Sequence, residues 1–187
     1  SESDFYSQHN AAAHRGAHQL AEEATEAIES ARTIVANFLG GASDEIVFTK
    51  SSTEALNLLA YSIGNAPVGN SFHLKAGDEI VVSEMEHHAN LIPWQELAKR
   101  TGAVLKWFEV DPDGRLDLSD IAKVITSRTK VVALTHQSNV LGTINPLTEL
   151  VERTHEVGAI FILDACQSVP HMPVNVAEID IDFLVFS

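Results

Sequence analysis

Five stretches of the sequence hold residues whose types and spacing suit chemistry. Ser51-Ser52-Thr53 stands between an apolar run and a helical pattern. Hydroxyls and unpaired backbone N–H groups at a helix N-terminus favour an anion such as phosphate. The same residues also suit ordinary capping, with Ser52 as the cap and Glu54 in the first turn. Glu84-Met85-Glu86-His87-His88-Ala89-Asn90 follows another apolar run. An imidazole there can stack on a planar heteroaromatic ring or move a proton near neutral pH. His87 and His88 also raise a metal reading. Adjacent side chains on one element point apart, however, and no third ligand lies at metal spacing, so no metal site is expected. Residues 135–143 follow a third apolar run, where Asn139 offers an amide to a ring substituent or a carboxylate, or simply belongs to a polar loop that enters a helix at Pro146. Ile160-Phe161-Ile162-Leu163 leads directly into Asp164, with Gln167 three residues on. Asp164 either meets a ligand or starts a turn. Ser187 follows a last apolar run at 181–186.

The elements that position these residues alternate in type. Helical spacing of small and apolar residues predicts a long helix over 18–39, ended by Gly40-Gly41. Further helices are expected over 55–60, 90–100 (with Pro93 in the first turn), 117–125 (with Asp117 as cap) and 146–157. Strands are expected over 45–49, 79–83, 104–108, 130–135, 160–163 and 181–186, with a turn at Asp111-Pro112-Asp113-Gly114 and loops over 64–71 and 170–177. Strands alternating with helices at crossover spacing imply an α/β fold, a mostly parallel sheet covered on both faces. Ligands of such sheets bind beyond the carboxyl ends of the strands, which is where the five stretches fall. No glycine-rich dinucleotide or nucleoside-triphosphate loop follows any strand.

The bulk composition narrows the function classes. The chain has 187 residues, 45% of them hydrophobic, enough for a sizeable core. Its net charge of −14, with Lys and Arg scattered, argues against nucleic acid or an anionic membrane as partner. No apolar run approaches the ~20 residues that a membrane span needs. Cys166 is the only cysteine, so neither an internal disulfide nor a thiolate zinc cluster can form; this suits a reducing cytoplasm. A final strand with no connection after Ser187 leads us to expect a piece of a larger protein.

A phosphate cradle, a stackable imidazole and a carboxylate at one sheet edge suit a phosphorylated heteroaromatic cofactor. If its ring nitrogen is protonated, Asp164 would hold that proton and make the ring an electron sink. At this point a family resemblance enters. The stretches His14-Arg15-Gly16-Ala17-His18, Ser52-Thr53-Glu54-Ala55-Leu56-Asn57, Met85-Glu86-His87-His88-Ala89-Asn90 with Pro93-Trp94-Gln95, Ser138-Asn139-Val140-Leu141-Gly142-Thr143 and Asp164-Ala165-Cys166-Gln167 resemble, in this order, the cysteine desulfurases of the class V aminotransferase group. These are fold-type I pyridoxal 5′-phosphate enzymes, and the chain is most like the branch that serves the SUF iron–sulfur assembly system.

The resemblance implies a three-layer α/β sandwich with a mixed, mostly parallel sheet. Residues 1–187 would be part of the cofactor-binding large domain, with the small C-terminal domain and the cofactor lysine outside the chain. It implies conversion of L-cysteine to L-alanine with sulfur left on an enzyme persulfide, in a cytoplasmic homodimer that hands sulfur to an acceptor protein. It also implies residue roles. Ser52, Thr53 and Ser187 bind phosphate. His87 stacks on the ring, and Asp164 pairs with the ring nitrogen; these two are the catalytic residues. Gln167 donates to the ring oxygen, Asn139 lies near the ring hydroxyl and the substrate carboxylate, and His14 and Arg15 line the substrate entrance.

The sequence departs from the family in places. In the family a His-Lys pair follows the serine matched by Ser187, and none of Lys50, Lys75, Lys99, Lys106, Lys123 and Lys130 matches that lysine. Cys166 does not match the catalytic cysteine, and is read as a small packing residue. The loop 65–75 is longer than is usual, and Lys50-Ser51 differs from the commoner residues there. The chain alone is therefore expected to be inactive. Other class V enzymes, such as a selenocysteine lyase or an aminotransferase, would share the ring contacts. A non-catalytic binding or assembly module and a His-based metal protein are the remaining alternatives.

Overall fold

The structure, a computed structural model, describes residues 2–187. Two compact units divide at Phe48 and Thr49. The N-terminal unit opens with the short helix α1 (Glu2–Asp4) and a π-helical turn at Phe5–His9, and continues into α2 (Gln19–Leu39). His18 caps α2 by accepting from the Ala21 N–H at 3.3 Å. Gly40 ends it with φ 74°, a left-handed conformation that glycine adopts without a Cβ penalty. Ala21, Ala24, Ala36 and Leu39 form the buried stripe of the helix.

One expected strand is absent. Residues 45–49 are not in a sheet: Ser43–Glu45 is a 3-10 turn, and the extended residues after it pair with no strand. The Ile46 carbonyl instead accepts from the Arg32 guanidinium, which also lies over the Phe48 ring. Val47 is 70% exposed. The apolar alternation is real, but among the described residues it takes part in no strand pairing.

The second unit is built on a sheet. It contains α3 (Ser52–Gly64), β1 (Glu79–Ser83), a 3-10 turn (His88–Asn90), α4 (Ile92–Thr101), β2 (Val104–Phe108), α5 (Ile121–Val124), β3 (Thr129–Thr135), α6 (Leu147–Glu156), β4 (Ile160–Asp164), α7 (Val176–Ile179) and β5 (Phe183–Val185). The order across the sheet is β2-β1-β3-β4-β5, and every pairing among these strands is parallel. Alternate residues of the inner strands face opposite layers. Ile80, Val82, Val131, Ala133 and Ile162 pack with Leu56 and Ile63 of α3 and with Trp94 and Leu97 of α4. Residues of the other parity, such as Phe161 and Leu163, are equally buried, and α6 lies against β4.

The chain steps from β1 outward to β2, but from β3 through β4 to β5 in the other direction. The order of strands therefore reverses between β1 and β3, and the crevice beyond the carboxyl ends there is where open α/β sheets take ligands. Two smaller expectations are corrected. The helix expected over 117–125 is only α5, because Asp117 accepts from the Ser119 N–H at 2.9 Å in a local turn instead of capping a helix. The loop expected over 170–177 gives way at its end to α7, capped by Asn175.

Candidate active site

Four strands deliver polar residues to one edge. β1 ends at Ser83, β3 at Thr135 and β4 at Asp164, while β5 runs on to Ser187. Thr135 pairs with Asp164 in the ladder, and Asp164 with Val185. The edge is therefore fixed by parallel register, and a shift in any one strand would move its polar end away from the others.

The N-terminus of α3 meets this edge. Ser51, not Ser52, caps the helix, accepting from the Glu54 N–H at 3.3 Å. Ser52 is released from that duty. Its N–H donates to Ser187 Oγ at 2.9 Å, and the Ser187 hydroxyl lies 3.2 Å from Ser52 Oγ. Two hydroxyls thus stand at the positive end of a 13-residue helix, an arrangement that suits an anion. Thr53 follows on the exposed side of the first turn.

Asp164 is 5% exposed, and its Oδ1 accepts from the Cys166 N–H at 3.0 Å. The Cys166 thiol interacts with both Ser52 and Asp164, so it joins the hydroxyl pair to the carboxylate. Burial pushes this thiol up to about 11, against the hydrogen bond with Ser52, and the charge of Asp164 adds to the rise. A thiol held protonated in this way is a poor nucleophile. Ser52, Ser187, Cys166 and Asp164 therefore form one connected group.

His87, Asn139 and Gln167 stand on turns that follow β1, β3 and β4 at the same edge, and among the described residues no hydrogen bond joins them to that group. His87 is exposed; its Nδ1 accepts from the Ala89 N–H at 3.1 Å, and its ring is 6.3 Å from that of His88. Asn139 is exposed beyond Ser138, whose Oγ accepts from the N–H groups of Val140 and Leu141. Gln167 is half-buried just after Asp164. His14 and Arg15 belong to the N-terminal unit, where His14 Nε2 is 3.2 Å from the Glu29 carboxylate.

One residue of the edge was not singled out in the sequence. Glu86 is buried and accepts from Ser83 Oγ at 2.6 Å, Asn90 Nδ2 at 2.6 Å and the Thr135 N–H at 3.0 Å. Burial pushes its carboxyl up to about 7; the three donors oppose that rise and the charge of Asp164 adds to it. Only the spacing Ser83-x-x-Glu86-x-x-x-Asn90 hinted at this network, and such spacing is common. Just beyond β3, His136 Nδ1, Gln137 Oε1 and Asn145 Oδ1 are buried without a partner among the described residues. The anion-favouring helix end and the buried carboxylate at one sheet edge suit a polar, phosphorylated ligand.

Comparison with known proteins gives this geometry a context. Residues 1–187 match the family Aminotransferase class-V. Probable cysteine desulfurase 2 of Mycobacterium leprae (strain TN) is 54% identical over 187 residues, covering 100% of this chain and 44% of the relative. Cysteine desulfurase of Haloferax volcanii is 47% identical, covering 98% of this chain and 42% of the relative. The apo structure of a cysteine desulfurase from Thermococcus onnurineus NA1 aligns with a TM-score of 0.90 at 45% identity, over 99% of this chain and 44% of that one. The chain spans less than half the length of these relatives.

Proposed function

The chain belongs to the class-V aminotransferase family, and on that premise we propose that it supplies the cofactor-holding part of a pyridoxal 5′-phosphate-dependent cysteine desulfurase, which converts L-cysteine to L-alanine and passes the sulfur to an enzyme thiol as a persulfide. The observation that carries this is the bond from the Ser52 N–H to Ser187 Oγ, which sets two hydroxyls at the start of α3 beside the buried Asp164.

Ser52, Thr53 and Ser187 would bind the cofactor phosphate, with the Thr53 N–H in the first turn of α3 adding a donor. Asp164 would hold the proton on the ring nitrogen; burial strengthens that pairing because little water screens it. His87, exposed at the edge, would cover one ring face. Gln167 would donate to the ring oxygen, and Asn139 to the ring hydroxyl and the substrate carboxylate. His14 and Arg15 would receive the substrate. When bound, the cofactor supplies the electron sink that lets the carbon–sulfur bond of the substrate break. The thiol that takes the sulfur would be a cysteine other than Cys166, whose buried proton leaves little thiolate. The family resemblance extends the proposal to a cytoplasmic homodimer that hands its sulfur to an acceptor protein for iron–sulfur assembly.

The test uses the full-length protein with pyridoxal phosphate and L-cysteine. We expect stoichiometric alanine and a persulfide that dithiothreitol releases as sulfide. Asp164→Ala should lower kcat/KM by about 100- to 1,000-fold, the size expected when one partner of a buried charge pair is removed. Wild-type turnover in that variant would sink the role given to Asp164. Activity on selenocysteine alone, or amino transfer to a keto acid without sulfur release, would overturn the desulfurase assignment.

A further inference from the structure

We propose that Glu86 is a positioning residue for the cofactor ring, locking the turn that carries His87 onto the strand that runs beside Asp164. The cofactor half of this inference rests on the function proposed above; the lock itself rests on geometry alone.

Glu86 sits beyond β1, at the strand-order reversal between β1 and β3. Its Oε1 takes donors from both sides of that crevice, Ser83 Oγ at the end of β1 and the Thr135 N–H at the end of β3. Its Oε2 takes Asn90 Nδ2, from the 3-10 turn that immediately follows His87. Asn90 is in turn tied back to His87, because its N–H donates to the His87 carbonyl at 2.8 Å. One carboxyl group therefore connects the His87 turn to the strand whose last residue pairs with Asp164.

Two of the three groups that face Glu86 can only donate, and only the Ser83 hydroxyl can exchange roles with a protonated carboxyl. The Thr135 N–H is backbone and can only donate. The Asn90 amide is not free to rotate, because its Oδ1 accepts from the Trp94 indole N–H at 2.9 Å, and an indole N–H can only donate. Asn90 and Trp94 are both fully buried, so water cannot replace a lost partner. Among the described residues no cation pairs with Glu86. A carboxyl buried without a cation, and facing donors fixed by backbone and indole, is held for its geometry.

This makes a sharp substitution test possible. In Glu86→Gln one of the two oxygens becomes an amide NH2, which must face either Asn90 or the Ser83–Thr135 pair. Turned toward Asn90, it meets another NH2 or forces that amide to flip and orphan the Trp94 indole. Asn90→Asp removes the conflict: one new carboxylate oxygen accepts from the introduced amide, and the other still accepts from Trp94. The double variant thus restores every hydrogen bond while moving the carboxylate by one position in the network.

The experiment compares full-length wild type, Glu86→Gln and Glu86→Gln/Asn90→Asp. Pyridoxal phosphate affinity is read from cofactor absorbance, and hydrogen exchange is read at the Ala89 and Asn90 amides without cofactor. The single variant should raise Kd and speed exchange by about 10-fold each, the size of one lost hydrogen bond to a charged group, and the double variant should return both to within about 3-fold of wild type. A single variant that matches wild type in both readouts overturns the proposal. So does a double variant that stays as impaired as the single one or fails to fold. If wild type takes up no pyridoxal phosphate, the cofactor assignment falls, and the exchange rates alone still decide whether Glu86 locks the turn.

Discussion

Two buried glutamates show how the same side chain is put to different uses. Glu79, at the amino end of β1, is met by Arg128 at 2.5 Å, Thr126 at 2.6 Å and Lys106 at 3.6 Å. Burial pushes its carboxyl up, but those partners more than offset it and hold it below the usual carboxylate range. Glu86, at the carboxyl end, has donors but no cation among the described residues, and burial wins. The consequence for stability has a definite sign. Below pH 4.5 the Glu86 carboxyl is protonated in folded and unfolded chains alike. Between 4.5 and about 7 it is charged only when unfolded, so stability falls as pH rises through that window and levels off above it. The shift corresponds to about 3 kcal/mol. Glu86→Gln lacks this titration, so the Tm of wild type relative to that variant should drop between pH 5 and 7.5. A gap that does not move with pH would contradict the buried, cation-free carboxyl. Cys166 illustrates the limit of residue type as a guide: the sequence marks it as the only thiol, and only its surroundings make it unreactive.

At the scale of elements, the first turn of α3 separates two duties between adjacent serines. Ser51 closes the helix, and Ser52 faces Ser187. Ser51→Ala should therefore cost about 1 kcal/mol of stability, as the loss of a cap does. Ser187→Ala removes the acceptor of the Ser52 N–H and should weaken pyridoxal phosphate binding by about 10-fold, the loss of one charge-assisted hydrogen bond, which Ser51→Ala should not do. Thermal unfolding and a cofactor titration of the full-length protein separate the two, and an exchange of these outcomes would reverse the assignment. The sequence placed a helix here but named the wrong serine as cap, since neighbouring serines offer identical capping chemistry. The strands of the sheet were legible because buried parallel strands read as apolar runs with β-branched residues. Residues 45–49 read the same way and yet are no strand, because periodicity records which residues are apolar and not whether an edge is free to pair. Glu86 was illegible for a related reason: its burial comes from β3 and from the 3-10 turn closing over it, and neither can be read from its own neighbours in sequence.

At the scale of the whole molecule, net charge and topology set the partners. With a formal charge of −14 and scattered Lys and Arg, the chain should not retard DNA or RNA in a gel at 0.1 M salt. A salt-sensitive shift would overturn that expectation. The α/β architecture and the clustering at the carboxyl edge were readable from the alternation of elements, whereas the strand order that brings Glu86 and Asp164 together required the structure. The bond between Ser52 and Ser187 spans 135 residues, and this has a bearing on biogenesis. At roughly 5–20 residues per second, about 7–27 s of synthesis separate the emergence of its two ends from the ribosome. Contacts this distant in sequence form late, because loop closure must come first. The Ser52–Ser187 pair thus cannot form on a nascent chain until β5 has joined the sheet, and if this pair holds a phosphate as proposed, uptake of a phosphorylated ligand would report that β5 is in place.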